Sequence, residues 1–515
     1  MVREVRMPEK DVPLGFSSTE HIQRRSKVAR PFGCPMAGAS PASDSARRVS
    51  MHGWTGFTIL LVVCGLLTLP TLVGCSPAPS PTVTPSEPAD ADRDGTELLD
   101  TADPSLESPE DQQARDAAAA LAPVLKKIQE WGGRVQVDQA GRLIEIDLLP
   151  ASLSDDEVQQ LVAVPMPDLR VLRLRGLGIT DEAMPAVARL STLTTLDLDN
   201  VAVTDDGIEH LTALDQIQSL RLHRATRLTD DVIEHFQHFP QLETLRLTDN
   251  DNISDFGLES LVQLDQLRTL DLDGCNSIGD DGLRMLAEMK NLDALYLRSR
   301  ASSETGLEYL ATMSQLRSLA VKDSMAICDF GLEFISQMTG LEELSLAQAY
   351  QVTDHGLQHL EGLTNLRRLD LRRLALNGSG LVHLKDMKEL EFLDLGGAPL
   401  SDESLEHLKA LPQLTVLNVM ATPLTDEGMR RLGELSGLRT LILRDVEISD
   451  AGVEHLTAIS NLGRLELRGV PITDAAVPHL GKFSELRQLD IAQTKITEKG
   501  LAKLKEMLPN TRIAY

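Results

Sequence analysis

Cysteine, aromatic rings and positive charge are all scarce in this chain. Five cysteines in 515 residues are too few for a disulfide framework. Two tryptophans, four tyrosines and ten phenylalanines supply no row of rings on which bases would stack. Lys and Arg number 50 against 77 Asp and Glu, and the resulting charge of −27 opposes binding to a phosphate backbone. Catalytic signatures are missing too: the chain holds no nucleophile elbow, H-E-x-x-H, phosphate loop or dinucleotide loop. Its carboxylates fall at repeated positions, and a pair such as Asp370 and Asp394 is expected to find no closed pocket that would shift its titration. Histidines 210, 235, 359, 383, 407, 455 and 479 recur once per repeat without Cys, Asp or Glu at metal-ligand spacing. The expectation is a chain without enzyme activity, cofactor, metal or nucleic-acid partner.

What the chain does have is one sentence repeated from Leu143 to the C-terminus. It reads L-x-x-L-x-L, a short polar loop, then I-T-D-x-G-L-x-x-L-x-x-L. The first half alternates with period two, as in Leu438, Leu441 and Leu443, and predicts a short strand; the second half has helical spacing. The first strand leucine falls at Leu143, Leu169, Leu193, Ile217, Leu242, Leu267, Leu292, Leu316, Leu341, Leu366, Leu390, Leu414, Leu438, Leu462 and Leu486, at intervals of 24 or 25 residues after a first step of 26. A single strand–helix unit cannot bury both of its apolar sides, so fifteen units must stack. Thr-Asp steps such as Thr204-Asp205 and Thr425-Asp426 place cap-forming side chains at the helix start, where acidic groups also meet the positive helix end. The glycines that follow, such as Gly207 and Gly452, let neighbouring helices approach. Two units drift, with Ser303-Glu304 and Asn377-Gly378 in place of Thr-Asp, and are expected to loosen the convex loop locally.

This pattern resembles the leucine-rich-repeat family, in its ribonuclease-inhibitor-like or cysteine-containing branch. The ninth position of the unit, often Cys or Asn in that branch, is Cys275 and Asn250 here but Val201, Ala225, Leu374 and Thr422 elsewhere. The resemblance implies an α/β leucine-rich-repeat solenoid: a horseshoe or arc of about 15 strand–helix units with a parallel inner sheet over residues 143–515. Residues 114–142 read as an N-terminal capping helix and lead-in, with Leu121, Val124, Leu125 and Ile128 as its apolar stripe and Gly132-Gly133 as its stop. Leu508 to Ile513 reads as a truncated extra strand. Phe236, Phe239 and Phe483 occupy leucine positions and are expected in the core, as are Cys275 and Cys328.

The N-terminal residues concern address. The apolar run 57–73 leads into Leu72-Val73-Gly74-Cys75, which resembles a bacterial lipoprotein signal peptide and its lipobox. The resemblance implies cleavage before Cys75 and lipidation of that residue, with an uncleaved anchor over 51–74 as the alternative. Residues 1–50 are polar and read as an extension or a mis-assigned start. Residues 75–113, rich in Pro, Ser, Asp and Glu, read as a disordered linker.

Exposed strand positions are expected to form the concave surface. Basic residues there slightly outnumber acidic ones, in contrast with the whole chain. Their densest group is Arg367, Arg368, Arg372 and Arg373, with Arg317 and Lys322 two repeats earlier and Asp370 among them. Arginine's planar donor fork suits a carboxylate or phosphate. These six residues are the candidate binding site of a non-catalytic protein-binding module on the cell envelope, whose partner is a protein or an anionic envelope component. The alternative is a structural envelope component that binds glycan or itself.

Overall fold

Alternating leucines and helically spaced leucines put a strand and a helical turn into every unit, and little else is needed to build the molecule. The computed structural model describes residues 121–298 and 300–515. The expectations for residues 1–50, 51–74, Cys75, the linker 75–113 and the first cap residues 114–120 lie outside them. Among the described residues, seventeen strands form one sheet. Fifteen are the repeat strands, from Leu143–Asp147 to Gln488–Asp490, each parallel to the one before it. The truncated strand expected at the C-terminus is Arg512–Ala514, parallel to Gln488–Asp490. The fold is an open leucine-rich-repeat solenoid. Every one of the fifteen first-position residues is buried, the most exposed being Leu143 at 5%. Truncating one of them to alanine costs on the order of 2–5 kcal/mol.

Both ends of the core are covered. A helix over 121–130 sets Val124 and Ile128 into the first layer, with Leu121, Leu125 and Trp131 packed beside them. The chain then folds back, because Arg134–Val137 pairs antiparallel with Leu143–Asp147. That hairpin was not legible in the sequence; its turn is made by Asp138, whose carboxylate accepts from the backbone of Ala140 and Arg142. At the far end the helix Glu498–Met507 contributes Leu504, and Leu508 closes the last layer. Phe236, Phe239, Phe483, Cys275 and Cys328 are all buried.

The Thr-Asp-x-Gly step has a reason that a single unit does not reveal. In ten of the steps between neighbouring units, the Asp carboxylate of one unit accepts both the backbone N–H and the hydroxyl of the Thr or Ser in the next. Thr204 donates to Asp181 at 2.8 and 2.7 Å, and Ser449 to Asp426 at 2.8 and 2.5 Å. Hydrogen bonds to a charged acceptor contribute roughly 1.5–3 kcal/mol each before exposure discounts them. The glycine admits that carboxylate: a Cβ on Gly207 would lie 2.1 Å from Asp181 Oδ1, and one on Gly452 2.4 Å from Asp426 Oδ1.

Five units carry a side chain at the glycine position; Glu157 in the first unit stands in a seven-residue α-helix all the same, and the other four are Ala183, Val232, Ser404 and Ala476. The helical segments of those four are 3₁₀ or short composite turns. Units with Gly207, Gly257, Gly282, Gly306, Gly428 and Gly452 form seven-residue α-helices. Gly356 and Gly380 stand in 3₁₀ turns instead, and nothing in the structure explains those two.

The two drifting units are not loosened as the sequence suggested. Ser303 donates to Asp280 at 2.7 and 2.5 Å and caps its own helix through Thr305 N–H. At Asn377–Gly380 the Asp354 carboxylate takes three backbone N–H groups, from Asn377, Gly378 and Gly380. The loss of a hydroxyl donor is offset by extra backbone donors.

Gly452→Ala pits two effects against each other. Helix propensity gains about 1 kcal/mol, whereas displacing the Asp426 carboxylate costs roughly 1–3 kcal/mol as overpacking and also weakens its bonds. The expected outcome is net destabilisation by about 1–2 kcal/mol, read as a lower urea midpoint. Ala476→Gly should give no gain. A neutral or stabilising Gly452→Ala would show that the carboxylate does not need the space.

Candidate functional site on the concave sheet face

Strand residues that do not point into the leucine core project from the concave face, and their neighbours are the equivalent residues one rung away. Rungs of a parallel sheet lie about 4.8 Å apart, within reach of long charged side chains, so pairing across rungs is the natural outcome. Arg173 pairs with Glu145, and Arg221 reaches Asp197 at 3.1 Å. Arg298 joins Asp249 and Asp273 at 2.5 Å each, and Lys322 meets Asp273 at 3.1 Å. Further along, Arg444 and Arg464 share Glu466, and Arg468 reaches Asp490 at 3.1 Å. His223 sits among Asp199, Asp249 and Thr248, and burial, reinforced by the Arg224 charge, pulls its imidazole below the ordinary value.

The six residues singled out from sequence fall into two places. Arg317 and Arg367 stand just ahead of their strands, not on the concave rows. With Gly340, Glu342, Asn365 and Glu389 they line an open polar depression of about 200 Å³. There Arg317 is 2.7 Å from Glu342, and Arg367 is 3.0 Å from Glu391. The chain turns between the buried first leucine and the strand proper, which strict alternation does not anticipate.

Lys322, Arg368 and Arg372 do project from the concave rows. Arg372 is held by Asp370 at 2.7 Å and lies 3.4 Å from Asp394. Arg368 lies 3.7 Å from Glu343, with its guanidinium 4.2 Å from the centre of the Phe392 ring. Arg373 is different. It lies in the turn after the strand Arg368–Asp370 in a left-handed conformation (φ 57°), it is exposed, and no ion pair involves it among the described residues. That conformation belongs to the repeat: the same place is filled by Gly274, Gly397 and Gly469 in three units and by Asn200, Arg224, Asp249, Asp323, Gln348, Ala421, Asp445 and Gln493 in others, all with positive φ.

Down the middle of this face runs a row of buried acids that sequence reasoning did not separate from the exposed ones. Asp197 is 3% exposed, Asp394 5% and Glu466 3%. Burial pushes the Asp197 and Asp394 carboxyls up to about 6, despite the opposing pull of Arg221 and Arg173 on the first and of the Gly396 N–H and Asn418 amide on the second, so that Asp394, contrary to expectation, is shifted without a closed pocket. Burial also raises Asp271. Burial works on Asp273 in the same direction, but Lys322 and Arg298 outweigh it and hold that group below the ordinary range.

The ninth-position chemistry also becomes clear on this scaffold. Asn250 donates its amide to the Leu222 carbonyl at 2.7 Å, and Cys275 Sγ lies 2.9 Å from the Leu247 carbonyl. Each reaches back to the preceding strand, which is why a small donor suits that position.

A leucine-rich repeat region model matches residues 152–382. No curated protein sequence matches the chain. Among solved structures, the chain is similar to an internalin from Listeria monocytogenes, at 20% identity over 80% of this chain and 98% of the other, with a TM-score of 0.40. A leucine-rich-repeat protein from Leptospira interrogans shares 18% identity over 72% and 88%, TM-score 0.41. Rad7, in its yeast complex with Elc1, shares 18% over 78% and 94%, TM-score 0.48.

The raised Asp197 carboxyl gives a pH signature. Its folded value of about 6 lies above the ordinary 3.8, so the folded chain takes up this proton first as pH falls. The contribution therefore favours the folded state below about pH 4 and is lost as pH rises through 6, by roughly 2–3 kcal/mol. Asp197 Oδ1 is buried without a hydrogen-bond partner, so an amide nitrogen there breaks nothing. Asp197→Asn should match or exceed the parent's urea midpoint at pH 7, with the difference gone at pH 4. An equal deficit at both pH values would contradict the assignment.

Proposed function

We propose that this chain is a non-catalytic protein-binding module, exported and held to a bacterial envelope membrane by lipid on Cys75, that reads its partner on the concave face. The carrying observation is the face itself: every rung but Val416–Asn418 presents charged side chains, most of them in ion pairs that a partner can take over. Exposed ion pairs contribute only about 0–1 kcal/mol each, so exchanging an internal carboxylate for a partner's is cheap. Ordered charge of both signs serves specificity and rejection of wrong partners. The repeat fold is one commonly used for protein binding, and the bound partner is a protein or an anionic envelope component rather than nucleic acid.

The apolar run before Cys75 and the proline-rich residues after it support the address. No helix among the described residues is long and apolar enough to cross a membrane. Mass spectrometry of the purified mature N-terminus should find a lipid-modified Cys75. Recovery from the cytosol of an unmodified chain that still carries residues 51–74 would refute this.

Replacing Arg367, Arg368, Arg372 and Arg373 together should remove specific partners from an envelope-extract pull-down. A structural component that binds glycan or itself would instead keep its partners and respond to salt alone. Identical recovery by both versions would exclude these arginines as the recognition site.

A further inference from the structure

The repeat sheet has two ends, and they are finished differently. At the C-terminal end the outermost strand is Arg512–Ala514, whose Ile513 packs against the core. At the N-terminal end it is Arg134–Val137, which pairs with Leu143–Asp147 alone among the described residues and has all four of its residues exposed. Edge strands are usually blunted by charge, proline or a bulge. The middle of this one, Val-Gln-Val, has no charge and no proline. The hairpin's bulge falls on the inner strand, where Ile144 is the extra residue, so the outer side stays straight. Its outward N–H and C=O groups are a template for another strand.

The side chains narrow down which strand that is. Val135 lies opposite Ile146 and Val137 opposite Leu143, so both valines stand on the core side of the sheet, yet they are 39% and 56% exposed. The strand that covers the first layer thus leaves its own apolar side chains open to solvent. Arg134 and Gln136 stand on the other side, and no ion pair involves Arg134 among the described residues. Laid antiparallel on itself about Gln136, the segment Arg134-Val-Gln-Val-Asp138 is self-complementary: each valine meets a valine and Arg134 meets Asp138. A slip of one residue in either direction would instead set each valine against Arg134, Gln136 or Asp138. Asp138 is not neutralised within its own chain. Arg142 is shared between it, at 2.6 Å, and Asp168, at 3.2 Å, so the three groups together carry one net negative charge.

We propose that the outer strand Arg134–Val137 pairs with its counterpart in a second copy of this chain, antiparallel about a two-fold axis at Gln136, so that the sheets of two solenoids join end to end. Such an interface uses the same patch on both copies and closes at two. The charge of −27 on each chain does not prevent it, because salt screens charges separated by more than about 8 Å and leaves those at the junction to decide. The contact takes up no residue of the paired charge rows beyond the first unit, so it stands independently of the reading above.

The test uses the full-length chain carrying Gln136→Cys, which sets two thiols opposite each other across the axis with Cβ atoms about 4.5–5.5 Å apart. Copper–phenanthroline should link this variant into a dimer. The parent, whose Cys275 is buried, and Gln263→Cys, at an exposed position after the helix Asp255–Leu261, should link far more slowly. Adding Arg134→Glu sets a carboxylate against Asp138, and adding Val137→Lys puts a charge on the edge; each should slow the linking about tenfold. Each alone should also lower the dimer fraction of the unlinked chain in sedimentation, with the urea midpoint unchanged because both residues are exposed. Linking of Gln136→Cys no faster than Gln263→Cys, linking that neither substitution slows, or a parent that sediments as a monomer at every concentration would each overturn the proposal. Assemblies beyond a dimer that grow with concentration would mean an open chain of contacts and overturn it as well. If Val137→Lys lowers the urea midpoint, Arg134→Glu decides.

Discussion

The bond on which the rest of this molecule depends joins one repeat to the next: a carboxylate that accepts an N–H and a hydroxyl from the neighbouring unit. Hydrophobic stacking alone would hold the leucine layers together but would not set their rotation or spacing, since apolar contacts are non-directional. The Asp–Thr bridge is directional. It fixes the start of each helix against the start of the next and sets the glycine as its partner. Where the hydroxyl donor is missing, as at Gly279, Asp255 still takes the backbone N–H at 2.7 Å. Where the aspartate is missing, at Asn377-Gly378, the next unit is held through backbone instead, with Ser401 N–H donating to the Asn377 carbonyl at 3.0 Å.

On the opposite side of the units the same spacing is put to another use. Parallel strands bring equivalent residues close enough that charges must either alternate or repel. The concave face solves this with ion pairs along and across rungs, including cations that reach two units away, as Lys322 does to Asp273. Asp197, Asp271 and Asp394 in the middle row are sunk between neighbours and burial suppresses their ionisation, whereas acids nearer the strand ends are exposed or held by arginine. The result is a surface that is locally balanced although the chain as a whole is strongly acidic.

The fold was almost wholly legible in the sequence, because fifteen copies of one pattern average away local ambiguity. The buried first leucine of all fifteen units, the burial of Val124 and Ile128, the terminal strand near Ile513 and the buried phenylalanines follow from spacing alone. What escaped was whatever depends on two units at once. The sequence shows Asp181 and Gly207 as parts of separate caps, and only stacking reveals that one fills the space left by the other. The hairpin at Arg134–Val137 escaped because it occurs once. The arginine group around Arg367–Arg373 was visible as a cluster, but its division into strand-start residues, paired residues and the unpaired Arg373 depends on side-chain direction and on φ, which composition does not carry.

The first unit shows how such an array can begin. It has no predecessor to supply a carboxylate, and Glu157 stands where later units place glycine; its side chain accepts from Ser154 N–H at 2.8 Å and Ser154 Oγ–H at 2.9 Å. The opening unit thus provides from within itself what every later unit receives from behind. Any interior unit that keeps Thr-Asp-x-Gly has a donor and an acceptor waiting on either side, so copies can be gained or lost in the middle without redesigning their neighbours. The first unit alone is not interchangeable, and its glutamate works as a start mark written in the side chains.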